Sequence, residues 1–519
     1  MVADYGWLAL LPPLVAIVLC FITKRVLISL FLGVFVGGFI IMGYNPIAGV
    51  GYTLDMIVSQ LGDSWNANLL IFNLLMGAGI AFIWKLNGSK ALTNWARKRI
   101  KTKRGASVGA WLLGIIVFFN DYCNAAIVGN TFRDISEEHK MSSEKLSFIL
   151  DATAAPVATF FISDWIAFQI GMLHSGMEAA GISDQMTPLV AYFKSIPMNI
   201  YCILAVLFVG MVAISGRDFG PMKKAEMRAE KEGKIIRDGG KSMLNVESDL
   251  GEPMEKAKPR LLTFFLPIIA LVVVTLVGFY ATGLNEETAG GKLIEILGAA
   301  DAAKALLWGA FAMTVTGLCL AIGTKAMKLG EAMDAIIDGM KLMLLACVIL
   351  VLAWSMGGIT GEMDLAGFIV GLFGESFPFA ILPGIIFLLG MGVAFATGTS
   401  WGTMTILTPI AIPLAYNITG DINISVMMAG VVFSGAIFGD HCSPISDTTV
   451  LASIFSGADH IDHTLTQIPY ALLVAAVAFI SYVIYGFTKI SPIVIIPFAI
   501  ILLFVAFYYL SRDKNTNIA

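Results

Sequence analysis

The strongest constraint on this chain is a series of apolar segments, each close to the length of about 20 residues that a helix needs to cross a bilayer. Nine of them are uninterrupted, and they lie at 7–22, 26–44, 69–86, 188–215, 260–284, 304–323, 341–360, 466–487 and 492–510. The composition agrees, since 57% of the 519 residues are hydrophobic and only 13% are charged. The sequence therefore predicts an all-α polytopic membrane protein.

Charge and cysteine usage exclude other classes. The 33 basic and 37 acidic residues give a net charge of −4, which argues against a nucleic-acid partner. The first apolar segment has no basic n-region or cleavage site, so we interpret it as a membrane helix and not as a cleaved signal. We expect free, buried thiols, no zinc site and no cofactor, because the cysteines are scattered without paired spacings. They are Cys20, Cys123, Cys202, Cys319, Cys347 and Cys442.

Four further apolar segments contain polar or helix-breaking residues. They are 105–139 around Asn120, 145–172 around Asp151, 384–416 around Thr399 and 425–455 around Asp440. Unpaired backbone groups at membrane depth are tolerated only where protein or a water-filled cavity supplies partners. We expect 105–139 and 384–416 to be re-entrant helical hairpins, and 145–172 and 425–455 to be spans broken at mid-depth. The total is then about eleven transmembrane helices plus two hairpins.

The basic residues predict the orientation, because cytoplasmic loops collect Lys and Arg. With the N-terminus outside and the C-terminus inside, 29 of the 33 basic residues fall on the cytoplasmic side. The hairpin at 105–139 should then enter from the cytoplasm and the hairpin at 384–416 from outside. The charged segment 217–259 is expected to be a solvated cytoplasmic linker, helical at 222–232, that serves as a tether.

The order of spans, hairpin and broken span occurs twice with opposite orientation. This predicts two inverted-topology repeats, the architecture of many secondary transporters, with the binding site where the broken helices meet. We assign each repeat a scaffold part and a transport part. The expected divisions are 1–104 (scaffold, repeat 1), 105–216 (transport, repeat 1), 217–259 (linker), 260–383 (scaffold, repeat 2), 384–488 (transport, repeat 2) and 489–519 (extra helix and tail).

Candidate site residues in the first repeat surround the two interruptions. A charged Asp at the bilayer centre costs about 2.5–3.5 kcal/mol on insertion scales. We therefore expect Asp121 and Asp151 to have a function in transport. Carboxylate and hydroxyl oxygens at Asp151 and Thr153 suit Na⁺. Capping of the next helix is the alternative for Asn120, Asp121 and Asp164. The candidates are Asn120, Asp121, Asn124, Asp151, Thr153 and Asp164.

The second repeat has a hydroxyl-rich and glycine-rich tip and a dense polar stretch. Its candidates are Thr399, Ser400, Trp401, Asp440, His441, Ser443, Ser446, Asp447 and Thr448. Protonation of a buried carboxylate and binding of a cation compete, which couples Na⁺ to H⁺. His441 either joins a proton relay or is a structural histidine. Zinc is disfavoured because Asp440, His441 and Cys442 are consecutive. We expect His460, Asp462 and His463 to face solvent in a loop.

Four stretches resemble signature sequences of the NhaC-type Na⁺/H⁺ antiporter family: 120–124, 151–157, 398–402 and 439–449. The resemblance implies a secondary transporter of the cytoplasmic membrane in the ion-transporter superfamily, with inverted repeats and re-entrant hairpins. It also implies a homodimer in which the first three spans of each repeat form a scaffold and the hairpins and broken spans move. The long linker and the aromatic stretch 160–165 depart from shorter members.

These residues are compatible with three different functions. The leading one is Na⁺/H⁺ antiport with Asp151, Asp440 and Asp447 as coupling carboxylates in one acidic chamber within the lipid bilayer. The second is Na⁺- or H⁺-coupled exchange of a small organic solute, either a carboxylate such as malate or lactate or an amine. Trp165 and Trp401 could hold an organic cation through their π faces, and anchoring at the membrane interface is the alternative for each tryptophan. The third is a membrane-embedded hydrolase that uses His441 with Ser443 or Ser446 and an aspartate.

Overall fold

The computed structural model describes residues 5–23, 25–241, 250–285, 293–365, 378–444 and 446–512, together with residues 288 and 368. These residues form helices and connecting turns, and the described part contains no β-strand. The chain is therefore all-α, as the sequence predicts. Eight helical segments of the described part are long and apolar enough to cross a membrane. The chain is an integral membrane protein.

The first half begins with helices that surround the later site. Before the first hairpin they are Gly6–Leu10 (3₁₀), Leu11–Thr23, Val26–Ile41, Pro46–Gly62, Ser64–Lys85 and Gly88–Arg99. The first hairpin consists of Lys103–Ile116 and Asp121–Glu138, and the first broken helix of Ser143–Thr153, Ala155–Ala158 and Asp164–Ala179. The half is completed by Ser183–Gln185 (3₁₀), Pro188–Ser195, Ile196–Met198 (3₁₀) and Ile200–Ser215.

A short helix, Gly220–Glu232, follows and is called the linker helix. The second half starts with Leu261–Gly283, Leu293–Gly298, Ala302–Gly323, Leu329–Leu342 and Leu344–Glu362. After Phe379–Ile381 (3₁₀), the second hairpin consists of Leu382–Thr397 and Ser400–Thr419, and the second broken helix of Ile422–Cys442 and Asp447–Ser456. The last two helices are His460–Thr488 and Pro492–Ser511.

Small residues let helices of the two halves approach closely. Ser64–Lys85 packs against both Ala302–Gly323 and Leu329–Leu342. A Cβ added to Gly77 would lie 2.1 Å from the carbonyl oxygen of Gly339, so both positions exclude a side chain. This kind of contact is typical of membrane helices, where packing and not hydrophobicity drives association.

The structure corrects several expectations. His460 begins a helix and is not in a loop, and His463 is fully buried, because the helix extends six residues before the apolar run at 466. Cys319 is exposed, whereas the other described cysteines are buried. The segments expected at 7–22 and 26–44 contain helices of only 13 and 16 residues.

The linker does more than tether. The expected helix at 222–232 is confirmed by the linker helix. Its Glu226 side chain is buried and accepts hydrogen bonds from the backbone N–H and the hydroxyl of Ser142, at 2.8 and 2.7 Å. Further along, Arg237 pairs with Asp462 at 2.5 Å. The linker is therefore docked on both the first broken helix and the start of His460–Thr488.

Candidate functional site

The two hairpins reverse direction at capped turns. In the first hairpin, Asn120 accepts a hydrogen bond from the backbone N–H of Cys123 at 2.9 Å and so caps the second arm. In the second hairpin, Gly398 has a φ of +67°, which a glycine adopts without strain, and Thr399 caps the following arm. The capping alternative therefore holds for Asn120.

The two broken helices are interrupted next to these turns. The first stops at Thr153, where Ala154 leaves the helical region, and it resumes fully at Asp164. The second stops at Cys442 and resumes at Asp447. The Asn124 amide connects the first hairpin to the break in the first broken helix. It donates to the carbonyl oxygen of Gly114, in the first arm of the hairpin, at 2.6 Å and to that of Thr153, at the break, at 2.9 Å.

A cavity of about 1170 Å³ lies where the hairpin turns meet the broken helices. It also reaches the linker, since Leu250 and Trp84 line it and the Trp84 indole N–H donates to the carbonyl oxygen of Gly251 at 2.8 Å. Eight of the fifteen predicted site residues belong to its lining. They are Asn120, Asp121, Asp164, Thr399, Ser400, Trp401, Asp440 and Thr448.

Hydrogen bonds fix two of the carboxylates in the cavity wall. The Ser400 hydroxyl, at the turn of the second hairpin, donates to Asp440 Oδ2 at 2.5 Å. The Asn120 amide, at the turn of the first hairpin, donates to Asp164 Oδ2 at 2.7 Å. Each hairpin turn is thus joined to a broken helix through a buried carboxylate.

The charge of the lining is uneven. Asp121, Asp164 and Asp440 come from the hairpins and broken helices. The basic residues in the described lining lie elsewhere: Arg25 directly precedes Val26–Ile41, and Lys341 is in Leu329–Leu342. The three carboxylates at the first hairpin turn and in the broken helices attract cations to that part of the cavity.

Asp151 lies in a separate buried cluster and is not part of the cavity lining. Its Oδ2 accepts hydrogen bonds from Gln467 Nε2 at 2.6 Å and from the Thr449 hydroxyl at 3.0 Å. His463 Nε2 lies 3.4 Å from the same oxygen. The Gln467 amide also donates to the carbonyl oxygen of His441.

These partners of Asp151 are not among the site residues predicted from the sequence. The predicted hydroxyl ligand is Thr448 and not its neighbour Thr449, and His463 is predicted to lie in a loop. His463 and Gln467 are four residues apart and therefore share one helix face, which is the signal that could have found them. Tyr201 was also missed, and its hydroxyl lies 2.7 Å from His441 Nδ1.

The remaining predicted residues make local contacts. The Thr153 hydroxyl donates to the carbonyl oxygen of Ile149 at 2.7 Å, and the Ser443 hydroxyl donates to that of Phe395 at 2.7 Å. Ser446 and Thr448 hydroxyls lie 3.0 Å apart. The side chain of Asp447 lies outside the described residues.

Comparison with known proteins identifies the family. Residues 157–487 match the sequence profile of the Na⁺/H⁺ antiporter family, well over half of the chain. The chain belongs to the Na⁺/H⁺ antiporter family. This family member is 33% identical over 488 residues to an uncharacterized protein of Haemophilus influenzae, covering 92% of this chain and 91% of that one.

Two relatives of the antiporter match over shorter stretches. The malate-2H⁺/Na⁺-lactate antiporter of Bacillus subtilis is 31% identical over 30% of this chain and 33% of its own length. The arginine/ornithine antiporter ArcD of Halobacterium salinarum is 28% identical over 43% of this chain and 41% of its own length.

Solved structures share the fold of the antiporter. MtrF of Neisseria gonorrhoeae, from a class of antimetabolite efflux pumps, has a TM-score of 0.52 at 12% identity and covers 85% of both chains. The YdaH transporter of Alcanivorax borkumensis has a TM-score of 0.52 at 13% identity, over 85% of this chain and 89% of its own. Family and fold together indicate a membrane transporter.

Proposed function

We propose that this protein is a Na⁺/H⁺ antiporter of the cytoplasmic membrane, with Asp440 as the residue that binds Na⁺ or H⁺ in the cavity. The observation that carries the proposal is the contact between Ser400 and Asp440, a hydroxyl and a carboxylate joined at 2.5 Å between a hairpin turn and a helix break. Carboxylate and hydroxyl oxygens are ligands that Na⁺ accepts, and helix breaks at a cavity are where transporters bind their coupling ions.

Exchange follows from competition at this carboxylate. Na⁺ stabilises the ionised form of Asp440, whereas a proton neutralises it, so binding of one releases the other. Thr448, on the far side of the break in the second broken helix, lines the same cavity and adds a hydroxyl oxygen. Asp151 lies outside this cavity, in a separate buried cluster. We propose that Asp151 holds the broken part of the first broken helix against helix His460–Thr488.

The proposal includes two inverted repeats, the N-terminus outside and the linker in the cytoplasm. It is supported by the bias of basic residues, 29 of 33, to one side. The cavity reaches the linker through Leu250 and Trp84, which supports a cavity that opens toward the cytoplasm. We further propose a homodimer in which the hairpins and broken helices move against the other helices.

The alternatives have less support. Exchange of malate or lactate, as the name of the Bacillus subtilis relative describes, requires an anion site. Three carboxylates lie in the hairpins and broken helices of this cavity, and its described basic residues, Arg25 and Lys341, lie outside those elements. For the hydrolase, a serine must contact a histidine. The Ser443 hydroxyl donates to a backbone carbonyl oxygen, and Tyr201 contacts His441 Nδ1, so these residues are engaged elsewhere.

Proteoliposomes that contain the purified protein and a pH-sensitive dye test the function. An outward-directed Na⁺ gradient should acidify the lumen. The same gradient across protein-free liposomes and an osmotically equal sucrose gradient should not, because exchange needs both the protein and a cation that its oxygen ligands can hold. Failure of NaCl to move protons, while an added organic solute does so, would replace Na⁺/H⁺ exchange by solute exchange.

A further inference from the structure

The cavity has two chemically different walls. The carboxylates Asp121, Asp164 and Asp440 come from the hairpins and broken helices. Another wall is formed by helices Ser64–Lys85 and Leu344–Glu362, and it presents aliphatic side chains. The apolar residues are Ile80, Ile83, Leu345, Ala346 and Ile349.

Aromatic rings lie beside the carboxylates. Trp165 follows Asp164 in sequence, and Trp401 follows Ser400, the residue that donates to Asp440. The two indole rings are 5.9 Å apart and perpendicular, and both line the cavity. Trp401 also stacks on Phe168, with ring centroids 4.2 Å apart, so its position is fixed by packing.

The cavity is larger and more apolar than the binding of an alkali cation requires. Na⁺ is held by a few oxygen ligands, whereas a cavity of about 1170 Å³ is larger than typical small-molecule sites of about 300–1,000 Å³. Indole rings attract organic ammonium groups through their π faces. Aliphatic residues favour an apolar body, because its burial removes apolar surface from water.

We infer that the cavity also takes an organic ammonium ion with an apolar body, its charge beside Asp440 and Trp401 and its body against Ile83 and Ile349. The inference rests on the proposed function, because the ammonium group and Na⁺ share Asp440. It names a class of cargo in which a carboxylate on the carbon next to the amine is unfavourable, because binding of the amine at Asp440 would bring that carboxylate close to Asp440.

The test is a binding measurement by isothermal titration on the purified full chain in detergent. Three probes share one skeleton: 2-phenylethylamine is a cation, 2-phenylethanol is neutral, and L-phenylalanine adds a carboxylate. We expect 2-phenylethylamine to bind at least tenfold more tightly than either of the others, and NaCl to compete with it.

Variants separate the aromatic contribution from the charge. Trp401→Leu should weaken 2-phenylethylamine binding at least fivefold more than it weakens Na⁺ binding, and Asp440→Asn should abolish both. Trp95→Leu is the matched control, because Trp95 is 44% exposed and lies outside the cavity lining; both affinities should stay unchanged.

The outcomes distinguish the two proposals. Na⁺ binding without binding of 2-phenylethylamine overturns the inference and leaves Na⁺/H⁺ exchange intact. Equal binding of 2-phenylethanol or L-phenylalanine also overturns it, because the charge pattern would then not be recognised. Binding of 2-phenylethylamine without any Na⁺ binding supports the inference and removes Na⁺ as the exchanged ion.

Discussion

Gln467 Nε2 lies 2.6 Å from Asp151 Oδ2, although 316 positions separate the two residues in the chain. The contact joins the first broken helix to His460–Thr488, close to Thr153, where the first segment of the broken helix ends. Asp151 is therefore held by the second half of the chain, outside the cavity that Asp440 lines. The acidic residues expected in one chamber are divided between a cavity and a buried cluster.

Replacement of Asp151 should destabilise the protein. Asp151→Leu leaves the donors of Gln467 and Thr449 without their acceptor in a buried site, which costs about 1–3 kcal/mol for each unsatisfied group. Asp151→Asn keeps one acceptor oxygen and should cost less. Thermal unfolding in detergent measures both, with the exposed Asp134→Asn as control. A midpoint for Asp151→Leu equal to that of the wild type would contradict this assignment.

The linker helix provides a matched pair of glutamates. Glu226 is buried and pairs with Lys103 at 2.7 Å and Lys145 at 3.6 Å, whereas Glu230 is 73% exposed and lies 3.7 Å from Lys103. Removing one partner of a buried ion pair costs about 3–5 kcal/mol. Glu226→Ala should therefore lower the unfolding midpoint strongly and expose the linker to trypsin.

Glu230→Ala should stay within about 0.5 kcal/mol of the wild type, because surface substitutions away from buried contacts have small effects. The same thermal and proteolysis assays apply to both variants. If the two variants were equally stable, the linker would be a tether, as the sequence alone suggests.

Acid should release the docked linker at Asp459. Burial raises the pKa of Asp459, but the backbone N–H groups of Lys241, Asp462 and Ile461 outweigh it and hold the pKa below its ordinary value of 3.8. A carboxyl group with a lowered pKa stabilises the folded state above its unfolded pKa. This contribution is lost as the pH falls through the folded pKa.

The comparison uses thermal unfolding between pH 6 and pH 3. The wild type should lose more stability over this range than Asp459→Asn, which keeps a capping oxygen but does not titrate. Parallel pH profiles for the two proteins would show that Asp459 does not contribute to linker docking.

The sequence located the helix breaks but not their partners. Polar residues such as Asn120 and Thr399 inside apolar runs predict the turns, because backbone groups there need partners and such residues cap helices. The Ser400–Asp440 contact lies between segments that were both predicted as site segments. His463 and Gln467 could not be assigned to Asp151, because a pairing over more than 300 residues depends on how the two halves pack.

The ends of the helices could also not be predicted from the sequence. A run of apolar residues shows that a segment is buried in lipid or protein, yet it does not show where the helix stops. The region 425–455 was expected to break at mid-depth, and it contains the 21-residue helix Ile422–Cys442, which is by itself long enough to cross a membrane.

In the proposed mechanism, Asp440 binds both the exchanged cation and the exchanged proton. The most direct measurement is Na⁺-driven proton movement in proteoliposomes with wild-type protein and with Asp440→Asn, each checked for folding by its elution volume and unfolding midpoint. We predict that Asp440→Asn is folded and gives the same signal as protein-free liposomes, while the control Asp134→Asn matches the wild type. Exchange at the wild-type rate in folded Asp440→Asn would exclude Asp440 as the binding site of the exchanged ions.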